Sequence, residues 1–450
     1  MTGGFAVRGR ALHAPAADRL ELLPDALIEV DDAGMIRAVR PAGAVPLPAG
    51  PLVMLAPQQV LLPGLCDLHI HAPQWPQRGT ALDRPLRDWL HADTFPLEAR
   101  FADTDYAAAV YDDLVATLLA NGTTTAVYFA SRHLAATIRL AETCLHHGQR
   151  AVVGRVAMDH PGQCPDFYRD ASADCAEAET RALIAAVRAL PGNATPLVWP
   201  AITPRFIPAC SDDLLRRLGR LAAESGAHVQ THCSESDWQH AHVRARCGCG
   251  DTAALAGFGL LTRRTVLAHG IFMDDADLDA VGRAGAGIAH CPLSNFYFGD
   301  AVFPLRAALD RAVHVGLGTD IAAGASASVL EVARTAIAAA RALESGVDPA
   351  IARHHRGRPG ARIDAVTAFW LATAGGGIVL DLPIGLFRPG YAFDALLIDP
   401  HGAGSNLAHA ADDTAERLLG RIIHTADRAA IRRVWVGGRV VRPAADGPPV

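Results

Sequence analysis

Lysine is missing altogether from the 450-residue chain, so every one of its 41 basic side chains is an arginine. Lysine is ordinarily among the commonest residues, and its loss has fixed chemical consequences. No Schiff base can form on a lysine, which excludes pyridoxal-dependent and class I aldolase chemistry. Phosphate loops and kinase ATP sites that depend on a lysine are excluded too. So is a binuclear metal centre bridged by a carboxylated lysine.

Other scarcities narrow the field further. No stretch reaches the roughly 18 apolar residues of a membrane-spanning helix, and Met1–Arg10 has no apolar leader core. A formal charge of −6 leaves no surplus of cations for nucleic acid or an anionic membrane. The nine cysteines, scattered from Cys66 to Cys291, fit reduced thiols better than a disulfide framework. Cys247-Gly-Cys249 lacks the second pair that a zinc knuckle needs. The His-x-Glu and Pro-Cys-x-x-Cys pattern of cytidine-deaminase-type zinc enzymes is also absent. With 50% hydrophobic residues the chain is not disordered. It is expected to be a cytoplasmic globular protein whose partner is a small molecule, with no nucleic acid and no membrane.

What is present falls into three stretches. Ala26–Val30 and Met35–Val39, separated by Asp31–Gly34, read as a hairpin. Phe393–Ile398, Ile431–Val436 and Arg439–Val441 repeat that β character at the other end. Residues 1–60 and 381–450 are therefore expected to form one small β-sandwich domain built from both termini. Between them, over 61–380, short apolar runs alternate with stretches of helical period such as Asp212–Ser225 and Ser326–Leu343. Eight strand candidates end near His71, Phe129, Met158, Thr203, His232, Gly270, His290 and Asp320. That count predicts an α/β fold with a (β/α)8 TIM-type barrel, whose active site would lie at the carboxyl ends of the strands.

Those ends are where the reactive side chains fall. His69 and His71, two apart on a strand, share one face. With His232 and Asp320 they supply three neutral nitrogens and a carboxylate, a mixed set for zinc or iron(II) that leaves room for a water. Glu235, three residues past His232, can move the protons that hydrolysis requires. The plainer reading of Glu235 is a carboxylate at a helix N-terminus. His269 can polarise the water, whereas His290 reads equally as a supporting or a structural histidine. The amide of Gln74, the guanidinium fork of Arg205 and the ring of Phe206 suit a flat substrate, although Arg205 also reads as a surface arginine. His146, His147, His240, His242, His354 and His355 have no strand-end position and read as surface residues.

These stretches resemble the amidohydrolase superfamily, and within it the metal-dependent purine deaminases. The likeness is carried by Pro63-Gly-Leu-Cys-Asp-Leu-His-Ile-His-Ala-Pro-Gln74, by Asp88-Trp-Leu90 with Thr94-Phe-Pro-Leu-Glu98, and by Asn121-Gly-Thr-Thr-Thr-Ala126 with Tyr128-Phe129. It continues through Thr203-Pro-Arg-Phe206, Thr231-His-Cys-Ser-Glu235, Ala268-His-Gly270, Ala289-His-Cys-Pro292 and Gly316-Leu-Gly-Thr-Asp320. The resemblance implies one zinc per chain, with iron(II) as the alternative, held by His69, His71, His232 and Asp320. It implies catalysis by Glu235, His269 and Asp320. An aminopurine would be bound by Gln74, Arg205 and Phe206, with His232 and Glu235 also facing it. The reaction implied is hydrolysis of guanine to xanthine and ammonia: a metal-activated water attacks C2 while Glu235 protonates the ring nitrogen. A homodimer is implied as well.

The chain departs from the family pattern at Ala323, at Ala325 and in Phe296-Tyr-Phe-Gly-Asp300. A pterin, another aminopurine or an aminotriazine therefore stays open as substrate. A non-catalytic scaffold barrel would require a missing ligand or a missing proton carrier, and neither is missing. The absence of lysine agrees with a one-metal site.

Overall fold

The computed structural model describes residues 4–442 apart from 45, 47 and 408–412. The extreme ends of the expected β domain, residues 1–3 and 443–450, lie outside the described residues.

Eight parallel strands run side by side in chain order. They are β1 (Leu65–His71), β2 (Thr123–Phe129), β3 (Arg150–Ala157), β4 (Val198–Pro204), β5 (His228–Cys233), β6 (Thr265–His269), β7 (Gly287–His290) and β8 (His314–Leu317). β1 to β7 end within about a residue of the positions expected, the ordinary uncertainty of strand ends. β8 is the exception, because it stops at Leu317 and Asp320 lies three residues beyond it. There the chain leaves the ladder and crosses to β1: Asp320 N donates to His69 O at 2.8 Å, and His71 N donates to Ile321 O at 2.7 Å. These two bonds close the barrel. Asp320 itself takes a left-handed φ of 52° to make the crossing.

The helices between strands are cut by readable signals. Asp212–Ser225 begins on Ser211, whose side chain accepts from Leu214 N, and stops at Gly226 in the left-handed region. Leu214, Leu215, Leu218 and Leu221 line its buried face, each side chain contributing about 1.5–3 kcal/mol by leaving water. The expected helix at Ser326–Leu343 instead spans Val329–Ser345. Ser326 is taken up in a local turn, accepting from Ser328 N and donating to Glu331, which delays the start.

Both chain ends build a second, mixed sheet of eight strands. Phe5–Ala16 pairs antiparallel with Arg19–Val30, which pairs in turn with Ile36–Pro41 in the expected hairpin. From the far end of the sequence, Ala395–Ile398 lies antiparallel to Val60–Pro63, and Ile431–Val436 lies beyond it. Phe5, Ile28, Phe393 and Trp435 form the core of this part. A buried ion pair ties it to the barrel: Arg150 on β3 donates from Nε and Nη2 to the two oxygens of Asp394, both at 3.0 Å. Removing one partner strands a buried charge, so Asp394→Ala should lower stability by about 3–5 kcal/mol. Urea unfolding reads this directly, and an unchanged midpoint would assign no stabilising role to the pair. Among the described residues no helix is long and apolar enough to cross a membrane.

Candidate active site

The strand ends of β1, β5 and β6 bring four imidazoles together. Ring centroids of His69 lie 4.9 Å from those of His71 and His232 and 5.3 Å from that of His269. Phe129, closing β2, packs edge-on against His69 at 4.7 Å and walls the cluster on one side. The donor atoms converge. His71 Nε2 and His232 Nε2 are 2.9 Å apart, and Asp320 Oδ1 is 3.1 Å from His69 Nε2 and 3.7 Å from His71 Nε2. Ligands around one tetrahedral ion, at about 2.0–2.1 Å from it, sit about 3.3 Å from one another, so the spacing fits a single cation.

Protonation supports the same reading. Burial drives His69, His71 and His232 well below the usual histidine pKa, which keeps them neutral as metal ligation requires. His232 Nδ1 donates to Arg205 O at 2.5 Å, and His269 Nδ1 donates to Asn295 Oδ1 at 3.0 Å. Each bond turns Nε2 inward as a bare acceptor. Burial lifts Asp320 to about 6. His69 Nε2, His269 Nε2 and Asp320 Oδ2 are buried without a hydrogen-bond partner among the described residues. Orphaned acceptors facing one another are costly unless a cation joins them, so these residues fit a metal.

Strain is concentrated at the same place. Ser234, His269 and Asp320 are non-glycine residues with φ of 49°, 74° and 52°, a conformation costing roughly 1–3 kcal/mol each. Neighbouring bonds hold them. Gly270 N donates to Cys233 O, Ile271 N to Ser234 O, and Ser234 N to Asp251 Oδ1. Asp67 accepts from the amide and hydroxyl of Thr319 at 2.9 and 2.6 Å, pinning β1 beside Asp320. Gly318 is required here by close approach, since a Cβ would stand 2.8 Å from His69 Cβ.

Glu235 stands just before a helix and beside the cluster. The following helix, Asp237–Cys247, is capped by Ser236, whose side chain accepts from Gln239 N. Glu235 is therefore not the cap. It is buried with Oε1 3.6 Å from His269 Nε2, and burial followed by the Asp320 charge holds its carboxyl well above the ordinary range.

A cleft opens over this cluster. His71, His232, Glu235 and Asp320 line it together with Gln74, Arg205 and Phe206. Leu86, Trp89, Leu90 and Ala323 complete the wall. Arg205 is no surface arginine: it is 2% exposed, with Nη1 and Nη2 donating to the two oxygens of Glu98 at 2.7 and 3.0 Å.

Comparison with known proteins places the whole chain. The model of the Amidohydrolase family matches residues 60–441. The chain belongs to the amidohydrolase family. It is 34% identical to a probable guanine deaminase of Schizosaccharomyces pombe over 96% of this chain and 82% of that protein. The guanine deaminase of Mus musculus is 33% identical over 97% and 96% of the two chains. A solved guanine deaminase from C. acetobutylicum, with guanine bound in its active site, superposes with a TM-score of 0.86 at 31% identity, covering 97% of this chain and 99% of that one.

Within this amidohydrolase barrel every residue selected from the sequence as a ligand, proton carrier or ring contact is buried at the cluster or the cleft. At other positions the sequence left two readings open or pointed elsewhere. His290 is outside the cleft, packed 5.4 Å from the Phe303 ring and held by burial at about 3. Asn295, further along the same segment, makes the contact to His269 instead. Ala323 lines the cleft and Ala325 does not. Of the unusual stretch Phe296–Asp300, Phe296 and Tyr297 are exposed, while Phe298 packs on Trp89 at 4.9 Å. His240 and His242, read as surface residues, are half-buried on their helix, His240 near Asp251 and His242 near Trp238. Glu98, Asn295 and Asp251 carried no role in the sequence reading. Each is an ordinary polar residue on a helix or loop, and only folding brings it to the cluster.

Proposed function

We propose that the chain is a hydrolytic guanine deaminase that converts guanine to xanthine and ammonia. The observation that carries this reading is a buried, donor-only guanidinium in the same cleft as the imidazole and carboxylate cluster. Arginine cannot accept a hydrogen bond, so the Arg205 wall suits a ring edge made of acceptors. Guanine presents O6 and N7 on the edge remote from its 2-amino group. Adenine puts an amino donor where guanine has O6, and melamine carries three amino groups, so both are disfavoured. Phe206, with Trp89, offers the flat apolar contact.

His69, His71, His232 and Asp320 would hold one divalent ion, and three imidazoles with one carboxylate suit zinc first and iron(II) second. When bound, the metal supplies a water whose pKa is brought toward neutrality. The remaining work falls to side chains. Glu235, its carboxyl raised by burial, is placed to carry a proton to the ring nitrogen beside C2 and then to the departing amine. His269, fixed by Asn295 and standing between Glu235 and Asp320, would orient that water together with Asp320. Nine unpaired cysteines accord with a reducing compartment, and we propose a cytoplasmic enzyme. The dimer rests on the family resemblance alone.

Ammonia release from guanine, adenine, cytosine, pterin and melamine tests the reading. Guanine should exceed adenine by roughly 100-fold or more in kcat/KM, as expected of a site whose polar groups the wrong ring leaves unpaired. Preference for any other amine on that panel would sink the assignment.

A further inference from the structure

Behind the cleft wall, Glu98 joins the two groups that face the substrate. It sits on the short helix Phe95–Ala99, is fully buried, and is not among the residues lining the cleft. Its Oε1 accepts from Gln74 Nε2 at 2.8 Å and from Arg205 Nη2 at 3.0 Å, while Oε2 accepts from Arg205 Nη1 at 2.7 Å. The Phe95 ring lies 4.9 Å from the same guanidinium.

Two consequences follow from the chemistry of these groups. The first is orientation. An ionised carboxylate only accepts, so Gln74 must present its nitrogen to Glu98, and its oxygen accepts from Ala322 N at 3.2 Å. The amide cannot flip, and it offers the cleft one N–H and one lone pair. Arg205, with two of its five N–H groups spent on Glu98, keeps three. The second consequence is charge. Burial opposes the Arg205 cation, and Glu98 offsets that opposition so that its pKa is raised. The wall therefore donates hydrogen bonds while carrying no net charge.

We propose that Glu98 is the specificity-determining positioning residue of this site. By cancelling the Arg205 charge, it lets the cleft take a neutral ring carbonyl and turn away an anionic one. This rests on the guanine reading. Replacing the 2-amino group of guanine by a carbonyl creates an additional acidic imide N–H, so xanthine loses a ring proton more readily than guanine does. A neutral wall then discriminates against the ionised product and favours its departure. An uncompensated guanidinium would retain that product, because a buried cation strengthens its attraction for an anion in a low-dielectric site.

The test compares wild type, Glu98→Gln and Glu98→Asp in the metal-loaded enzyme. It measures kcat and KM for guanine, and the inhibition constant of xanthine at pH values below and above the ionisation of xanthine. Glu98→Gln should raise the guanine KM about tenfold or more while changing kcat less. It should also bind xanthine about tenfold more tightly than wild type does, and only at the higher pH. Glu98→Asp keeps the charge and loses the reach, so its KM rises while its xanthine profile stays that of wild type. The double variant Glu98→Gln with Arg205→Met removes both charges and should lose the gain in xanthine affinity.

Equal xanthine profiles in wild type and Glu98→Gln, with only KM altered, would reduce Glu98 to a structural residue and overturn the proposal. A gain of anion affinity in Glu98→Asp would overturn it as well, and that variant serves if Glu98→Gln does not fold. Failure of the wild type to turn over guanine at all is a separate result. It would remove the reading on which the proposal rests.

Discussion

Glu235→Gln should keep its full complement of metal and lose roughly two to four orders of magnitude of kcat, the range general acid and base groups contribute. The replacement is nearly isosteric, and Ser236 rather than Glu235 caps the following helix, so the local fold has no reason to change. What is lost is a carboxyl that burial and the Asp320 charge hold well above the ordinary range, a group able to take up a proton and hand it on. An amide cannot take that proton up. KM for guanine should move little, because Gln74, Arg205 and Phe206 supply the ring contacts. Steady-state ammonia release and metal analysis on the same preparation check the result. Full activity would remove Glu235 from proton transfer, and metal loss in parallel with activity would make it a ligand instead.

Asp320→Asn is the second large effect. One oxygen of this side chain stands 3.1 Å from His69 Nε2 and 3.7 Å from His71 Nε2, and the other is 3.8 Å from His269 Nε2. A neutral amide keeps the shape but removes the single negative charge among the expected ligands, and with it most of the attraction for a divalent cation. Metal content should fall from about one per chain toward zero, and kcat/KM should fall on the order of 10⁴-fold. Excess zinc in the assay should not restore it. A variant that retains both metal and activity would remove Asp320 from the ligand set.

The residues behind these predictions were legible for a reason particular to barrels. His69, His71, His232 and His269 each stand at or near the end of an apolar run, and parallel strands bring such ends together whatever their separation in sequence. Asp320 was found by the same rule although its strand stops short, because the chain still passes the barrel mouth there. Glu98 was not legible in the same way. Its position after Thr94-Phe-Pro-Leu is that of a helical carboxylate, and a helical carboxylate is usually solvated. Its partners, Gln74 and Arg205, are 24 and 107 residues away. Asn295 acts through one side-chain bond to His269, and Asp251 accepts from Ser234 N and Gln239 Nε2; no periodicity marks such bonds. Strand and helix ends shifted where a local hydroxyl or a left-handed residue intervened, as at Ser326 and Asp320.

The seam between β1 and the segment after β8 has a consequence for the order of events in folding. Asp67 bonds Thr319, and His69 and His71 bond Asp320 and Ile321, across about 250 positions of sequence. Contacts of such separation bear the full entropy of closing a long loop and are made late. The joint between the first and last strands of the barrel is thus also the floor of its active site. During synthesis no nascent chain shorter than about 320 residues can hold the complete cluster. Catalytic competence should appear no earlier than burial of this seam.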